Sequence, residues 1–271
     1  MLYMIGLGLG DEKDITLRGL EAIKKSKKVF YENYTSLSNA LQGLETLSQK
    51  KFEQAPRNLV ENEAEKILLL AEKEPVSFLV IGDVFGATTH ADLYLRAKQK
   101  NIEVKIINNA SIINVIGNTG LDLYRFGQTT SIVFDDNNWL PDTPYKVIKK
   151  NKENGLHTLC LLDIKTAEPS IENIKKGIMK PEPPRFMNVN KGIEILEKLE
   201  EINKEKIITP QTKIVGVARI GTQKEKIVFK TIQEIKKEDF GEPLHSIIIP
   251  GKLHDIEQEI LQKHNTKNEK K

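Results

Sequence analysis

Two glycine-rich turns, each at the end of an apolar run, constrain this chain more than any other feature of its sequence. The first reads GLGLG at 6–10 and follows the run 2–5; the second reads GDVFG at 82–86 and follows the run 78–81. Glycine allows a sharp turn after a strand and lets a ligand approach the backbone where a Cβ would block it. The two turns therefore predict either one nucleotide-like ligand or a pair of purely structural turns.

A dinucleotide-binding fingerprint is one interpretation of the first turn, with Glu32 at about the position of a ribose-binding acid. The spacing is G-x-G-x-G instead of G-x-G-x-x-G, and Asp11, Glu12 and Asp14 stand where a pyrophosphate would bind. Carboxylates there repel phosphate, whereas a cationic cofactor without phosphate tolerates them. The pattern favours S-adenosyl-L-methionine, and a structural turn remains open.

Composition excludes several classes of protein. The chain has 271 residues, 39% of them hydrophobic, which is enough for one or two domains with a substantial core. A net charge of +3 and only six arginines argue against a nucleic-acid partner. No apolar stretch approaches the roughly 20 residues of a membrane span, so we expect no membrane partner. With no leader sequence apparent, the predicted location is cytoplasmic.

Strand-like and helix-like segments alternate, which predicts an α/β fold. We expect strands at 2–8, 28–32, 76–81, 103–107, 130–134, 157–163, 213–219, 226–230 and 246–250. Helices are expected at 16–27, 61–73, 89–100, 143–154, 189–203 and 254–264. A break at 108–111 predicts an N-terminal domain 1–110 and a C-terminal domain 111–264, with a disordered tail 265–271. The short gap at 221–224 predicts a hairpin and hence a mixed second sheet. The proline-rich segment 165–187 predicts a long surface loop.

Few residues suggest chemistry individually. Cys160 lies inside an apolar run and is expected to be a buried small hydrophobe. His90 and His157 flank apolar runs and are interpreted as structural, and no metal-ligand spacing is present, so we expect no metal site. Asp83 follows a buried strand and either contacts a ligand or forms an Asx turn. His245 either contacts a ligand or begins a strand.

Five ordered motifs, at 5–16, 82–90, 109–112, 155–165 and 241–246, resemble those of the diphthine synthases, a family of the tetrapyrrole methylase superfamily. The resemblance extends from Met1 to about Leu261. The segment 166–187 is similar to one found in eukaryotic members and absent from archaeal ones. One departure is Val84, where the family usually has proline, which would fix the φ angle of this turn.

The resemblance implies a two-domain tetrapyrrole-methylase-like fold, with a mostly parallel N-terminal sheet and a mixed C-terminal sheet, that forms a homodimer. It also implies that S-adenosyl-L-methionine binds between the domains and leaves as S-adenosyl-L-homocysteine. By motif position, the cofactor contacts would be Leu9, Asp83, Gly86, Ser111, Ile112, Leu162, Ile220 and His245.

The activity implied by the resemblance is methylation of a modified histidine on the protein substrate elongation factor 2, in diphthamide biosynthesis. Eukaryotic members make four transfers and yield diphthine methyl ester, whereas archaeal members stop at a trimethylated amine. No catalytic residue is assigned, because a sulfonium is already a strong leaving group and the protein mainly supplies alignment. Since one fold can serve several functions, a methylase of tetrapyrrole precursors and a non-catalytic sensor or scaffold also remain open.

Overall fold

The computed structural model describes residues 1–34, 40–136, 139–165 and 183–268 of the chain. These form two compact units, the first comprising Met1–Val115 and Gly221–Gln223, the second Ile116–Ile220 and Lys224–Lys271. The predicted boundary after residue 110 lies shortly before this division. The return of Gly221–Gln223 to the first unit was not expected. A Cβ built on Gly221 would lie 3.2 Å from Leu9 Cδ1, so this turn packs against the first glycine turn.

The first unit is built on a five-stranded parallel sheet in the order β3-β2-β4-β1-β5. Its strands are β1 (Leu2–Gly6), β2 (Lys28–Glu32), β3 (Glu53–Ala55), β4 (Val76–Val80) and β5 (Val104–Ile107). The helices are α1 (Leu17–Lys25), α2 (Ala40–Ser48), α3 (Arg57–Glu61), α4 (Glu65–Lys73), α5 (Ala91–Gln99) and α6 (Ile112–Val115). Because β1 lies between β4 and β5, the turns after these three strands meet at one edge of the sheet.

Strand β4 shows that the sheet lies at the centre of the hydrophobic core of the first unit. All of its residues are buried, as expected for a parallel strand covered on both faces. Alternate residues point to opposite faces: Met4 and Phe78 belong to one apolar cluster, and Ile5 and Leu79 to another. The continuous apolar runs that predicted β1 and β4 are thus the two-sided core of the sheet.

The second unit contains a mixed sheet in the order β11-β10-β12-β7-β6. The elements after α6 are the strands β6 (Thr130–Ile132), β7 (Thr158–Leu162), β8 (Ile164–Lys165), β9 (Arg185–Phe186), β10 (Lys213–Ala218), β11 (Lys226–Thr231) and β12 (His245–Ile249), and the helices α7 (Thr143–Glu153), α8 (Val189–Asn203), α9 (Ile232–Ile235) and α10 (Asp255–Asn268). Among the described strands of this sheet, only β6 and β7 run parallel. The predicted hairpin is the antiparallel pair β10 and β11.

The predicted α/β class, with one parallel and one mixed sheet, is confirmed. The sequence did not predict the short elements α2, α3, α6, α9, β3, β8 and β9, and the helix expected at 61–73 is α4, which begins at Glu65. Helix α10 covers part of the predicted tail 265–271, and residues 166–182 of the predicted loop lie outside the described residues. In the part of the chain that the structure describes, no helix is long and apolar enough to cross a membrane.

Candidate functional site

The two glycine turns are joined directly by their backbones. The Gly8 N–H donates to the Gly82 carbonyl over 3.1 Å, and the Gly82 N–H donates to the Gly8 carbonyl over 2.8 Å. A Cβ on Gly6 would lie 2.6 Å from the Gly82 oxygen. Glycine is therefore required at Gly6 by the close approach of the second turn, and at Gly8 and Gly82 by positive φ angles of 78° and 84°.

Asp83 links the second turn to the chain that follows β5. Its Oδ1 accepts the Phe85 N–H over 3.0 Å, which is the Asx turn that one of our two interpretations expected. Its Oδ2 accepts the Asn109 N–H at 2.9 Å and the Asn108 side-chain amide at 3.1 Å. Three hydrogen bonds thus hold the carboxylate in one orientation. Its negative charge therefore has a fixed position relative to any ligand. The neighbouring Val84 is fully buried in the core.

Asn109 connects all three turns at this edge, and the sequence analysis did not single it out. Its Nδ2 donates to the carbonyls of Gly6, at 3.1 Å, and Asp14, at 3.0 Å, while its Oδ1 accepts the Ala110 N–H at 2.7 Å. A polar residue directly after a strand at the carboxyl edge was the available signal. Recognising its role requires knowing that β5 lies next to β1.

The predicted cofactor residues of the first unit lie around these turns. A Cβ on Gly86 would stand 2.5 Å from Ser111 Oγ, and one on Gly82 would stand 3.6 Å from both Leu9 Cδ2 and Ser111 Cβ. Ser111 is nearly buried, and the next residue, Ile112, begins α6. The structure therefore brings Leu9, Asp83, Gly86, Ser111 and Ile112 together at the carboxyl edge of the parallel sheet.

The acidic residues of the first turn bind the turn itself. Asp14 Oδ2 accepts the Gly10 N–H at 2.7 Å, and Asp11 Oδ1 accepts the Lys13 N–H at 2.9 Å. In a dinucleotide site these backbone donors would face a pyrophosphate. Because carboxylates already occupy donors here, the geometry agrees with the interpretation that excluded a dinucleotide.

Leu162, Ile220 and His245 lie at one edge of the second sheet. Strand β7 ends at Leu162 and β12 begins at His245, and the antiparallel register pairs Ser246 with Leu161 and His245 with Ala218. Ile220 follows two residues after Ala218. All three predicted residues are more than nine-tenths buried, so this half of the predicted set also converges.

His245 has one satisfied and one unsatisfied ring nitrogen. Nε2 lies 2.8 Å from the Glu242 carbonyl oxygen, which can only accept, so Nε2 carries the hydrogen. Nδ1 is buried and has no hydrogen-bond partner among the described residues. Burial lowers the pKa of the ring, which keeps it neutral and leaves Nδ1 as an acceptor facing no donor.

Comparison with known proteins decides the family. A profile of the tetrapyrrole (corrin/porphyrin) methylases matches residues 1–236. The chain is 51% identical to a diphthine methyl ester synthase of Dictyostelium discoideum over 97% of both proteins, and 48% identical to one of Homo sapiens over 96% of this chain and 94% of the relative. The chain belongs to the tetrapyrrole methylases, within the diphthine methyl ester synthases. A crystal structure of a diphthine synthase superposes on this methylase with a TM-score of 0.83 at 30% identity, covering 98% of this chain and 96% of that one. The resemblance drawn from the sequence is confirmed.

Three side chains in this methylase are spaced like the ligands of a metal ion. Ligand atoms of Asp122, His254 and Glu257 lie within 4.8 Å of one another. Glu257 already accepts from Arg125 at 2.6 Å and from His157 at 3.0 Å, and both oxygens also accept backbone N–H groups. The positive charge of Arg125, at this distance from the Glu257 carboxylate, would repel a metal cation. We therefore interpret the group as a partly buried hydrogen-bond network around Glu257.

The residues interpreted as structural are buried as expected. His157 is fully buried and both of its ring nitrogens are hydrogen-bonded, to Gly251 and to Glu257. Cys160 is fully buried, and burial raises the pKa of its thiol. His90 lies edge-on to Phe78, and its ring nitrogens have no hydrogen-bond partner in the described chain; burial lowers its pKa to about 4.

Proposed function

We propose that this methylase transfers methyl groups from S-adenosyl-L-methionine to the modified histidine of elongation factor 2 and thereby forms diphthine methyl ester. The observation that carries the proposal is its likeness to diphthine methyl ester synthases over nearly the full length of both chains. The names of these relatives specify a methyl ester, which supports four transfers over an archaeal-type product with three. A tetrapyrrole-precursor methylase is not favoured by these relatives.

The residues of the chain fit the proposed cofactor. The carboxylates of Asp11 and Asp14 make the first turn unsuited to phosphate. We propose that Leu9, Asp83, Gly86, Ser111, Ile112, Leu162, Ile220 and His245 hold the cofactor and, after transfer, S-adenosyl-L-homocysteine.

Alignment is the main contribution that these residues make. When bound, S-adenosyl-L-methionine supplies a methyl group on a sulfonium, which is a strong leaving group. In-line displacement tolerates little misalignment, and the turns are fixed by the Gly8 and Gly82 pair and by the side chain of Asn109. The Asp83 carboxylate is engaged by three donors, so we assign it to positioning and name no proton acceptor.

The expected acceptor is an amine and a carboxylate on one side chain of a protein substrate. An amine with a pKa near that of an α-amino group, about 7.7–8.0, is partly neutral at cellular pH, so water can accept its protons between transfers. A carboxylate needs no deprotonation before it is esterified. We further propose that the enzyme works as a homodimer in the cytoplasm, where the elongation factor acts.

Transfer of label tests the proposal. The whole chain is incubated with S-adenosyl-L-methionine labelled in its methyl group and with elongation factor 2 that carries the aminocarboxypropyl intermediate. Elongation factor 2 with an unmodified histidine is the matched control. We expect label on the intermediate alone, and an unlabelled intermediate in the presence of folded enzyme would overturn the proposal.

A further inference from the structure

Arg219 connects the end of β10 to the segment that leads into β12. The antiparallel pairing of these two strands ends at His245, and one further backbone hydrogen bond follows it, from the Arg219 N–H to the Leu244 carbonyl at 2.8 Å. Before this bond, the chain at 240–242 lies outside the sheet, and two of its three residues are exposed. Burial of apolar surface therefore does little to fix this segment.

The Arg219 guanidinium supplies hydrogen bonds that the sheet does not. Its Nη1 donates to the Phe240 carbonyl at 2.8 Å and to the Glu242 carbonyl. Its Nε donates to the Lys224 carbonyl at 3.1 Å. A planar guanidinium holds its donors in a fixed fork, which a lysine ammonium cannot imitate. One side chain thus joins the chain before β11 to the chain before β12.

The Glu242 carbonyl is shared between Arg219 and His245. Its oxygen accepts from Nε2 of His245 at 2.8 Å and also from the guanidinium of Arg219. A carbonyl oxygen has two lone pairs, so it can accept both hydrogen bonds. The partner of one ring nitrogen decides which nitrogen of a neutral histidine carries the hydrogen. Because Arg219 holds this partner in place, it acts on the His245 ring through a shared atom.

The backbone of Arg219 lies in the left-handed region, with a φ of 49°. This conformation suits glycine and is unfavourable for a residue with a Cβ. Lys204 has a similar φ of 57°, but it follows the last turn of α8, where a left-handed residue is a common way to end a helix. Arg219 follows a strand instead. Backbone strain of this kind is common at functional sites, and the contacts of the guanidinium supply a reason for arginine here.

We propose that Arg219 is a positioning residue for the cofactor contacts of the second unit: its guanidinium fixes the segment that leads into β12 and, through the Glu242 carbonyl, the orientation of the His245 ring. Ile220 is the next residue along the chain and depends on the same turn of the backbone. The proposal rests on the proposed function, because it takes Ile220 and His245 as cofactor contacts. Removal of the guanidinium should therefore weaken cofactor binding although every assigned contact residue is still present.

Calorimetry with S-adenosylhomocysteine on the full chain tests the proposal. Arg219→Gly removes the guanidinium and also the strain of a positive φ, so the protein should melt near the wild-type temperature while its dissociation constant rises about thirtyfold. Arg219→Lys keeps the charge but not the fork and should bind about tenfold more weakly. Lys204→Gly is the matched control, because it also replaces an exposed residue of positive φ. It should bind as the wild type does.

Two further measurements separate positioning from a general loss of structure. Guanidinium chloride, well below the concentration that unfolds the protein, should restore part of the affinity of Arg219→Gly, because the ion can occupy the vacated space. Sodium chloride at the same concentration should not. The nitrogen NMR signals of the His245 ring, assigned with His245→Asn, should show a hydrogen on Nε2 in the wild type and a mixture of the two tautomers in Arg219→Gly.

Wild-type affinity in a folded Arg219→Gly protein would overturn the inference, as would unchanged ring signals of His245 or equal recovery with both salts. If Arg219→Gly does not fold, Arg219→Lys is used for the affinity and the ring signals, and wild-type values of either would overturn the inference. Failure of the wild type to bind S-adenosylhomocysteine would instead overturn the proposed function.

Discussion

Gly86 illustrates how the site is determined at the scale of single residues. Its place in a turn after an apolar run predicted that a ligand approaches the backbone at this glycine. In the structure, a Cβ at Gly86 would lie 2.5 Å from Ser111 Oγ and 2.6 Å from Ser111 Cβ, well inside contact distance. The need for glycine therefore arises from a neighbouring side chain that is itself a proposed cofactor contact.

Gly86→Ala tests this explanation. Because the new methyl group displaces Ser111 or the turn, we expect the free energy of unfolding to fall by about 1–3 kcal/mol and S-adenosylhomocysteine to bind more weakly. Adding Ser111→Gly should restore stability but not binding. Gly117→Ala is the control, since its Cβ would meet Leu123 no closer than 3.5 Å. Chemical unfolding and calorimetry are the measurements, and a Gly86→Ala protein of normal stability that has lost binding would show that the ligand, not Ser111, requires the glycine.

The individual residues differ in how far the sequence predicted them. Burial of Cys160 and His157 followed from their position in or beside apolar runs, and the Asx turn of Asp83 was one of two stated interpretations. Asn109 could not be identified in this way, because its partners Gly6 and Asp14 lie about a hundred positions away. The overlap of Gly86 with Ser111 was hidden for the same reason. Local chemistry was predictable, and contacts between distant segments were not.

At the scale of elements, three turns meet at one edge of the first sheet, and Asn109 in the third turn bonds to the other two. Asn109 Nδ2 donates to the carbonyls of Gly6, the last residue of β1, and of Asp14, and its backbone N–H donates to Asp83 in the turn after β4. The strands place the three turns side by side, and the hydrogen bonds of Asn109 hold the third turn against the first and the second.

Asn109→Asp is therefore expected to loosen the turns. The variant replaces a donor by a carboxylate facing the Gly6 and Asp14 carbonyls, and we expect a loss of about 1–3 kcal/mol in stability together with weaker cofactor binding. Asn62→Asp, away from these turns between α3 and α4, is the control and should change neither measurably. Urea unfolding and calorimetry decide the matter. An Asn109→Asp protein with wild-type affinity would contradict the role of Asn109 as a clamp.

Helix α10 is anchored by Glu257, a fully buried carboxylate. Burial raises its pKa, but the N–H groups of Asp122 and His254 and the ring of His157 outweigh burial and hold the pKa below its usual value. A lowered pKa means that the ionised carboxylate stabilises the fold above the unfolded pKa of about 4.3 and that this stabilisation is lost as the pH falls through the folded pKa.

Glu257→Gln should cost about 3–5 kcal/mol at pH 7, because it leaves Arg125 beside an uncharged group. The difference from the wild type should shrink as the pH drops below about 4. Glu259→Gln is the control on the same helix, because its exposed pair with Lys263 should contribute little to stability. Unfolding curves at several pH values provide the test, and a pH-independent difference would contradict the assigned charge.

The elements predicted best are those with continuous burial. Strands β1, β4, β7 and β12 appear in the sequence as apolar runs because they are covered on both faces. Strand β3 was missed because two of its three residues are exposed, so it has no apolar run. The start of the helix predicted at 61–73 was placed four residues too early, because the chain is not helical at 62–64, between α3 and α4.

At the scale of the whole molecule, a change in pattern near residue 110 predicted a domain boundary, and the first compact unit extends to Val115. The return of Gly221–Gln223 to the first unit depends on packing of this hairpin turn against Leu9, a contact that no local pattern records. Family resemblance supplied what the pattern could not, namely the expected dimer and the protein substrate.

The proposed homodimer is tested by light scattering at micromolar concentration. We expect a mass of about twice the 30.7 kDa of the chain, because most soluble oligomers are symmetric dimers and the resemblance implies one. Measurement with and without S-adenosylhomocysteine separates a permanent dimer from one induced by ligand. A single species near the mass of one chain under both conditions would contradict the dimer.

The central claim is that this enzyme makes a methyl ester, and mass spectrometry of the modified histidine peptide tests it most directly. With S-adenosyl-L-methionine in excess, we predict a product with four added methyl groups, three on the amine and one on the carboxylate, and mild base should remove only the ester methyl. A product that saturates at three methyl groups and resists base would contradict the claim that an ester is formed. The assignment of the protein as a methyltransferase would remain.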